Sequence, residues 1–400
     1  MAENPSSAAP AGTWIPYALA GLCASLVGIG LARFAYTPLL PALIEAHWFA
    51  ETTAVYLGAA NLAGYLAGAL GGKWMATRLS ATTLLKGMML LAAISFIACA
   101  TPVSFTWYFI WRFAAGLAGG VLMVLAASIV LPHVPAGKRG VAGGIIFTGV
   151  GLGIALSGTL VPALIGIGLA ETWLGLGGLS LVLTLAAWRF WPAAEPRSET
   201  VSPAPASAFS WPFTSLYVVY GLVAAGLVAH MIFLVDYVAR GLGLGIHVGA
   251  GYWILFGLGA ALGPMTAGRL ADTLGFKKTL RLLLALQAVA VALAFIDTGS
   301  LSLAVSSFVT GAVVPGVVPL IVGRVHGLSG NNAPLQRSAW SYATVSFSVG
   351  QAGAAYAFSY IFEITGRYDI LFQIGTAALV IALIIEFLTP ESSKQESDKD

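Results

Sequence analysis

The stretch GRLADTLGFKKTL, residues 268–280, separates two long apolar runs and contains three basic residues and one acid. A second polar break, GKWMATRLSATTL at residues 72–84, stands 196 positions earlier and matches it at four of thirteen positions. Each break follows the second apolar run in a group of six. This spacing predicts that the chain consists of two duplicated halves.

The composition is that of a membrane protein. Of 400 residues, 58% are hydrophobic and 9% are charged, whereas soluble domains average about 25% charged residues. The mean hydropathy of +0.89 extends over nearly the whole chain, which leaves no room for a large soluble domain. The net charge of +3 is small and does not indicate a nucleic-acid partner.

Twelve apolar runs have roughly the 20 residues that a helix needs to cross a bilayer. They predict an all-α membrane protein with twelve transmembrane helices in two six-helix bundles. The first bundle would span residues 1–191, a Pro/Ser/Ala-rich cytoplasmic linker 192–211, and the second bundle with a short polar tail 212–400. The predicted helices lie near 14–40, 52–74, 81–101, 105–131, 140–167, 172–191, 212–238, 249–271, 278–297, 301–323, 336–362 and 368–388.

The basic residues are distributed asymmetrically between the predicted loops. If the N-terminus is cytoplasmic, fifteen of the nineteen Lys and Arg residues fall in inner loops or the C-terminal tail, and only Arg240 and Arg367 fall in outer loops. The remaining two, Arg33 and Arg112, lie within spans. Because cytoplasmic loops retain positive charge, we expect both termini in the cytoplasm.

The loop 268–280 resembles the motif that marks the major facilitator superfamily. Its key positions are occupied by Gly268, Leu270, Asp272, Gly275 and Lys278. The run RFAAGLAGG resembles a second motif of the superfamily through Arg112 and Gly116, and ARFAYTPLLP resembles a bacterial branch with YbfB/YjiJ-like members. The resemblance implies the major facilitator fold, a bacterial inner membrane and alternating access around a midplane site.

Three positions depart from the superfamily pattern. In the first-half loop, Ala76 replaces the acid and Leu79 replaces the second glycine. The run GVAGGIIFTGVGLGIALSG resembles an antiporter motif of spaced glycines, but Ile154 stands where its proline belongs. The sequence therefore leaves symport and antiport both open.

Asp272 follows the eighth predicted helix at the cytoplasmic side. A carboxylate there can accept hydrogen bonds from the N-terminal amides of a neighbouring helix. The resemblance implies that the partner is the start of the fifth helix, near Lys138, Arg139 and Gly140. We expect this bond to act as a latch that stabilises one conformation, and the alternative is that Asp272 is a solvated loop acid. The latch residues are Gly268, Asp272, Gly275 and Lys278.

Ionisable residues within spans are functional candidates, because a charge at mid-bilayer costs roughly 2.5–3.5 kcal/mol. Glu386 lies near a span end, where we expect it to extend to the interface. Asp236 precedes Arg240 by one helical turn, so an i,i+4 pair at the outer rim competes with a proton site. Arg112 is either a structural and proton-coupling residue, as the resemblance implies, or a second anion ligand.

Arg33 and His230 fall at nearly equivalent positions of the two halves, since an offset of 196 places Arg33 opposite Ala229. We therefore expect both side chains to face one cavity. Arginine keeps its charge and suits a permanent anion site, whereas histidine titrates near neutrality and suits a proton-linked switch. A histidine hydrogen-bonded between helices is the alternative for His230.

Four more polar residues lie within or beside the spans, and each must find a partner in an apolar interior. They contact either the substrate or a neighbouring helix. They are Tyr36, Asn61, Tyr65 and Gln351.

These features predict a proton-coupled secondary transporter of a small organic anion, with a carboxylate as the simplest case. A proton-antiport exporter of drugs or metabolites is the alternative, although no acid lies within the first six spans. Composition alone also allows a channel. We predict no enzymatic activity, cofactor or bound metal; the expected partners are a small-molecule substrate, protons and the lipid bilayer, and we expect a monomer.

Overall fold

The computed structural model describes residues 14–135, 138–192, 206–296, 299–330 and 332–389. Within these residues the chain forms twelve long helices and no strand, which confirms the predicted all-α fold. The helices are α1 (Ile15–Glu45), α2 (Glu51–Arg78), α3 (Ala81–Ala98), α4 (Phe105–Val130), α5 (Arg139–Ile165), α6 (Leu169–Ala187), α7 (Trp211–Gly241), α8 (Ile246–Leu274), α9 (Phe276–Ile296), α10 (Ser300–Ser329), α11 (Ala333–Thr365) and α12 (Tyr368–Leu388).

Eleven of these helices are long and apolar enough to cross a membrane. The remaining one, α11, is 33 residues long, and its described residues include no stretch as apolar as those of the other eleven helices. It packs against α2 and α7, so part of its surface contacts protein instead of lipid. Its polarity is consistent with a position at the interface between the two halves.

Each half forms its own set of packed helices. In the first half, α2 packs extensively on α4, and α1 packs on α5. In the second half, the corresponding pairs are α8 with α10 and α7 with α11. The halves meet along α5 with α8 and α2 with α11.

The predicted linker lies largely outside the described residues, so its boundaries stay a prediction. The C-terminal part of the linker, which the structure describes, forms a short 3₁₀ turn at Ala206–Phe209, and α7 begins at Trp211. We name the side where α1 begins and α12 ends the terminal face, and the other side the opposite face.

Glycines allow the closest helix contacts within the first half. A Cβ on Gly116 of α4 would collide with the backbone carbonyl of Asn61 in α2, and one on Gly120 would collide with that of Tyr65. Side chains at these positions would force the two helices apart. The spaced glycines of α4 therefore fix the distance between α2 and α4.

Both α1 and α7 depart from regular helix near mid-membrane. In α1, a π-helical turn at Leu26–Leu31 is followed by a non-helical turn at 32–35. Pro38 lies in the first turn of the helical segment that follows, Tyr36–Glu45, and has no backbone N–H to donate to the carbonyl of Phe34. In α7, π-helical turns occur at Ala229–Phe233 and Tyr237–Gly241. These irregular segments present the polar side chains of the candidate site.

Candidate functional site

Arg33 lies in the non-helical turn of α1 and is 9% exposed. Its guanidinium faces the ring of Tyr65 at 4.6 Å and the ring of Phe34 at 5.2 Å. Its Nη2 donates to the thioether sulfur of Met231, in the second half, at 3.3 Å. The charge is therefore held between aromatic faces and a weak acceptor.

Arg112 of α4 is 2% exposed and lies close to the same turn. Its Nη1 donates to the carbonyl oxygen of Ala32 at 3.0 Å, and its guanidinium faces the ring of Tyr36 at 4.4 Å. Because this bond is to the backbone of α1, Arg112 stabilises the turn that carries Arg33.

Asn61 connects α2 to both arginine-bearing helices. Its Nδ2 donates to the carbonyl oxygens of Arg112 at 3.1 Å and of Ala32 at 3.3 Å. Tyr36 donates its hydroxyl to the carbonyl of Ala54 at 2.6 Å. Both residues make the interhelical bonds that were the alternative to substrate contact, and both also line the cavity described next.

A small cavity lies between the halves, bounded by α1, α2, α4 and α7. Its free space is about 10 Å³, which is room for a single water molecule. Gln351 of α11 lies beside it and donates to Met231 Sδ at 3.4 Å. The side chains with polar or sulfur groups at the cavity are Arg33, Tyr36, Thr37, Asn61, Arg112 and Met231.

The cavity carries two positive charges and no acid. None of its lining residues is Asp or Glu, and within the described part of the chain neither arginine forms an ion pair. Buried polar atoms without a hydrogen-bond partner there include Arg33 Nε, Arg112 Nε, Asn61 Oδ1 and Gln351 Oε1. Buried polar atoms normally have partners, so this arrangement can accept a ligand that carries anionic oxygens and donor groups.

His230 does not face this cavity, contrary to the prediction that it shares one with Arg33. Its side chain is fully buried within the second half. Its Nε2 lies 2.8 Å from Ser306 Oγ, and its ring packs edge-on against Phe372 at 5.1 Å. Because adjacent residues of a helix point about 100° apart, the neighbouring Met231 takes the place at the cavity.

Asp236 forms the predicted i,i+4 pair with Arg240, at 2.6 Å, and is also fully buried. Tyr368 of α12 donates to its other oxygen at 2.6 Å. Arg240 reaches further and pairs with Glu51 of the first half. Asp236 thus belongs to a charge cluster that joins the two halves at the opposite face.

Glu386 does not extend to the interface as expected, because its side chain points into the second half and is 1% exposed. Its Oε1 lies 3.6 Å from Arg324 Nη2. Arg281 donates to the backbone carbonyl of Glu386 at 3.1 Å, and Lys277 donates to that of Thr389 at 2.7 Å. These basic side chains stabilise the negative end of the α12 dipole.

The latch residues lie where α8 ends at the terminal face. Gly275 terminates α8 with a φ of +81°, a left-handed conformation that favours glycine. Asp272 and Lys278 are exposed. Among the described residues Asp272 makes no hydrogen bond or ion pair, and Arg139 bonds to Val134 instead. The latch is therefore not formed in this conformational state. Its formation in a second conformational state stays a prediction.

Twelve helices in two similar halves, with a buried polar cavity between them, define a membrane transporter of the major facilitator type. The chain belongs to the family described as Uncharacterised MFS-type transporter YbfB, whose model matches residues 25–387. This confirms the resemblance seen in the sequence. The family comprises transporters and not enzymes.

Two solved structures share the fold. The D-xylose–proton symporter has a TM-score of 0.77 at 15% identity, covering 95% of this chain and 98% of its own. A point mutant of the nucleoside transporter NupG has a TM-score of 0.73 at 14% identity, covering 94% of this chain and 100% of its own. No curated protein matches the sequence. At these identities the likeness concerns the fold alone.

Proposed function

We propose that this protein is a proton-coupled secondary transporter that moves a small organic anion, with a carboxylate as the simplest case. The observation that carries the proposal is that Arg33 and Arg112 line one cavity between the halves and that no acid lines it. A guanidinium holds a carboxylate through two parallel hydrogen bonds. Two uncompensated arginines in a membrane interior are costly, and an anionic substrate would offset that cost.

The aromatic rings of the site argue against a cationic substrate. Tyr65 and Tyr36 are the rings that would attract a cation, and they already face Arg33 and Arg112. An incoming cation would have to displace an arginine and would be repelled by the other. The exporter of cationic drugs is therefore the weaker candidate.

Alternating access is supported by where the two halves make contact. Arg240 pairs with Glu51, and Tyr56 donates to Glu363 at 2.8 Å, both at the opposite face. These contacts close the opposite face in this state. A second state would separate them and close the terminal face instead.

For proton coupling we propose Asp236 in preference to His230. Protonation of Asp236 removes the charge that binds Arg240, and Arg240 is also the partner of Glu51 across the halves. Protonation can therefore act directly on an interface between the halves. His230 contacts Ser306 and Phe372, both within its own half. Arg112 keeps its charge, so its contribution to coupling would be to position the turn of α1.

The distribution of positive charge supports an inner-membrane orientation with both termini in the cytoplasm. Arg78 ends α2, and Arg281 and Arg324 lie toward the terminal face. Under this orientation the opposite face is periplasmic. We expect a monomer.

The test is binding of small anions to purified protein by calorimetric titration or thermal shift, with acetate, succinate and benzoate compared against tetraethylammonium. We expect anions to bind, and Arg33→Gln to abolish binding while the protein stays folded. Arg78→Gln is the matched control, because Arg78 lies at the end of α2 and stacks on Trp74, away from the cavity. Binding of the cation alone, or undiminished anion binding by Arg33→Gln, would favour the exporter.

A further inference from the structure

Met231 of α7 accepts hydrogen bonds from both halves of the protein. Arg33 Nη2 donates to its sulfur at 3.3 Å and Gln351 Nε2 at 3.4 Å. Arg33 belongs to α1 in the first half and Gln351 to α11 in the second. The thioether therefore occupies the point where two donors from opposite halves converge.

A thioether is a poor partner for these donors. Sulfur is a weak acceptor, whereas a guanidinium bonded to an anionic oxygen makes one of the strongest hydrogen bonds in proteins. The Nε of Arg33, a further donor on the same guanidinium, has no hydrogen-bond partner among the described residues. Both residues are thus arranged for a better ligand than the one they hold.

The Met231 side chain also fills the space that a ligand would need. The cavity retains about 10 Å³ of free space, and Met231 and Ile232 form its boundary on the α7 side. Even acetate does not fit until a side chain moves. Methionine is unbranched and has three rotatable side-chain bonds, so it changes conformation more easily than a branched residue.

A hydrogen bond fixes the backbone at this position, whereas the buried side chain is held by packing and by the two weak hydrogen bonds to its sulfur. Thr37 of α1 donates its hydroxyl to the carbonyl of Met231. The residue lies within the π-helical turn Ala229–Phe233. A rotation of the side chain therefore leaves this bond between α1 and the backbone of α7 intact.

We propose that Met231 is a displaceable plug of the anion site. Its sulfur occupies the position of a substrate anionic oxygen, and an entering carboxylate displaces it to bind Arg33 and Gln351 together. This inference rests on the proposed function, because it requires an anionic substrate. The bound anion would join the two halves, which links occupancy of the site to the rearrangement of the bundles.

Methyl NMR tests the plug directly. The chain has seven methionines, so protein labelled with ¹³C at the methionine methyl groups gives few signals, and Met231→Leu assigns the relevant one. Sodium acetate, the smallest carboxylate probe, is added up to about 100 mM, far above the millimolar range of a weak site. We expect a saturable shift of the Met231 signal that is absent in Arg33→Gln, while buried Met89 of α3 stays unchanged.

Two substitutions test the proposal through the affinity for acetate. This affinity is measured from the thermal stabilisation of each variant or from its remaining methionine methyl signals. Gln351→Leu should weaken acetate binding about tenfold, since one bond to a charged ligand is lost. Met231→Ala should strengthen it about threefold, because no side chain must be displaced. Equal or weaker binding by folded Met231→Ala would overturn the plug.

The outcomes separate the plug from the proposed function. If acetate stabilises the protein or shifts other signals while Met231 does not respond, the plug is wrong and the anion site stands. If acetate and benzoate both fail to act and tetraethylammonium shifts the signals, the proposed function is wrong. If none of the three probes acts at that concentration, both proposals fail.

Discussion

Arg240 of α7 forms an ion pair with Glu51, the first residue of α2, and so joins the two halves at the opposite face. The same guanidinium binds Asp236 at 2.6 Å and Tyr368 at 3.2 Å. One of the contacts that close this face is therefore made by an arginine that is shared between a half-exposed acid, Glu51, and a buried one, Asp236.

Glu51→Gln should favour opening of the opposite face. Glu51 is partly exposed, so its pair contributes only about 0.2–1 kcal/mol, and we expect the ratio of open to closed states to change about threefold. Spin labels at Val103 and Leu301, exposed positions at this face in opposite halves, report the distance in a Cys23→Ala, Cys99→Ala background. A distance distribution identical to that of the parent protein would contradict a role for Glu51.

Asp236→Asn should abolish proton coupling but retain substrate exchange. The asparagine keeps a hydrogen-bond acceptor for Tyr368 but carries no charge that titrates. In proteoliposomes a pH gradient should no longer drive accumulation, while exchange of labelled for unlabelled substrate continues. His230→Gln is the matched control and should keep gradient-driven accumulation, because the side chains that His230 contacts, Ser306 and Phe372, carry no charge. If His230→Gln abolished gradient-driven accumulation and Asp236→Asn kept it, His230 and not Asp236 would be the proton-coupling residue.

Asp272→Asn should slow transport without weakening substrate binding. Asp272 is exposed at the terminal face and makes no hydrogen bond or ion pair with any residue that the structure describes, so we expect its charge to contribute nothing to closure of the opposite face. The effect must come from a state closed at the terminal face, where the carboxylate would bind the start of α5. Labels at Leu79 and His326, exposed at that face in opposite halves, should lose their shorter distance population. Normal transport with unchanged distances would remove Asp272 from the mechanism.

Gly116→Ala should destabilise the protein and weaken the site together. The added Cβ would meet the backbone of Asn61, which cannot move aside as a side chain can, and overpacking of this kind costs about 1–3 kcal/mol. Asn61 also bonds to the carbonyls of Ala32 and Arg112, so anion affinity should fall with thermal stability. Gly87→Ala is the control, since its Cβ would meet no atom.

The fold was predictable because the bilayer imposes it. A span must satisfy its backbone hydrogen bonds internally, so apolar runs of sufficient length become helices whatever their details. The same physics makes a charge in a span conspicuous, and Arg33, Arg112 and Asn61 indeed meet at one site. The helix α11, which has the least apolar stretch, was predicted at 336–362 and extends over Ala333–Thr365.

The predictions for His230 and Glu386 were wrong because the sequence does not show in which direction a side chain points from its helix. Met231 was missed because an apolar side chain does not stand out in an apolar span. An offset of 196 fixed the depth of His230 but not its direction, and one residue along α7 turns a side chain by about 100°. The cavity therefore receives Met231, whose apolar character gave no signal in the sequence. Glu386 was judged from its distance to a span end, whereas the basic residues of α9 and α10 that surround it come together only in the fold.

Arg33→Lys should weaken anion binding about tenfold to a hundredfold, although lysine keeps the charge. The loss has a geometric cause: an ammonium group is a point charge that cannot make two parallel bonds to a carboxylate, and one charge-assisted bond is worth about 1.5–3 kcal/mol. Lysine also stacks less well between Tyr65 and Phe34, which hold the guanidinium at 4.6 and 5.2 Å.

Arg112→Lys should behave differently, because the Nη1 of Arg112 bonds to the carbonyl of Ala32 and stabilises the turn of α1. We expect it to lower the thermal stability as well as the affinity, whereas Arg33→Lys should lower affinity at nearly unchanged stability, since no backbone bond of its side chain is lost. Calorimetric titration of acetate, combined with thermal unfolding of both variants, separates the two roles. Equal losses of stability in both variants would show that Arg33 supports the structure and that the anion is bound mainly by Arg112.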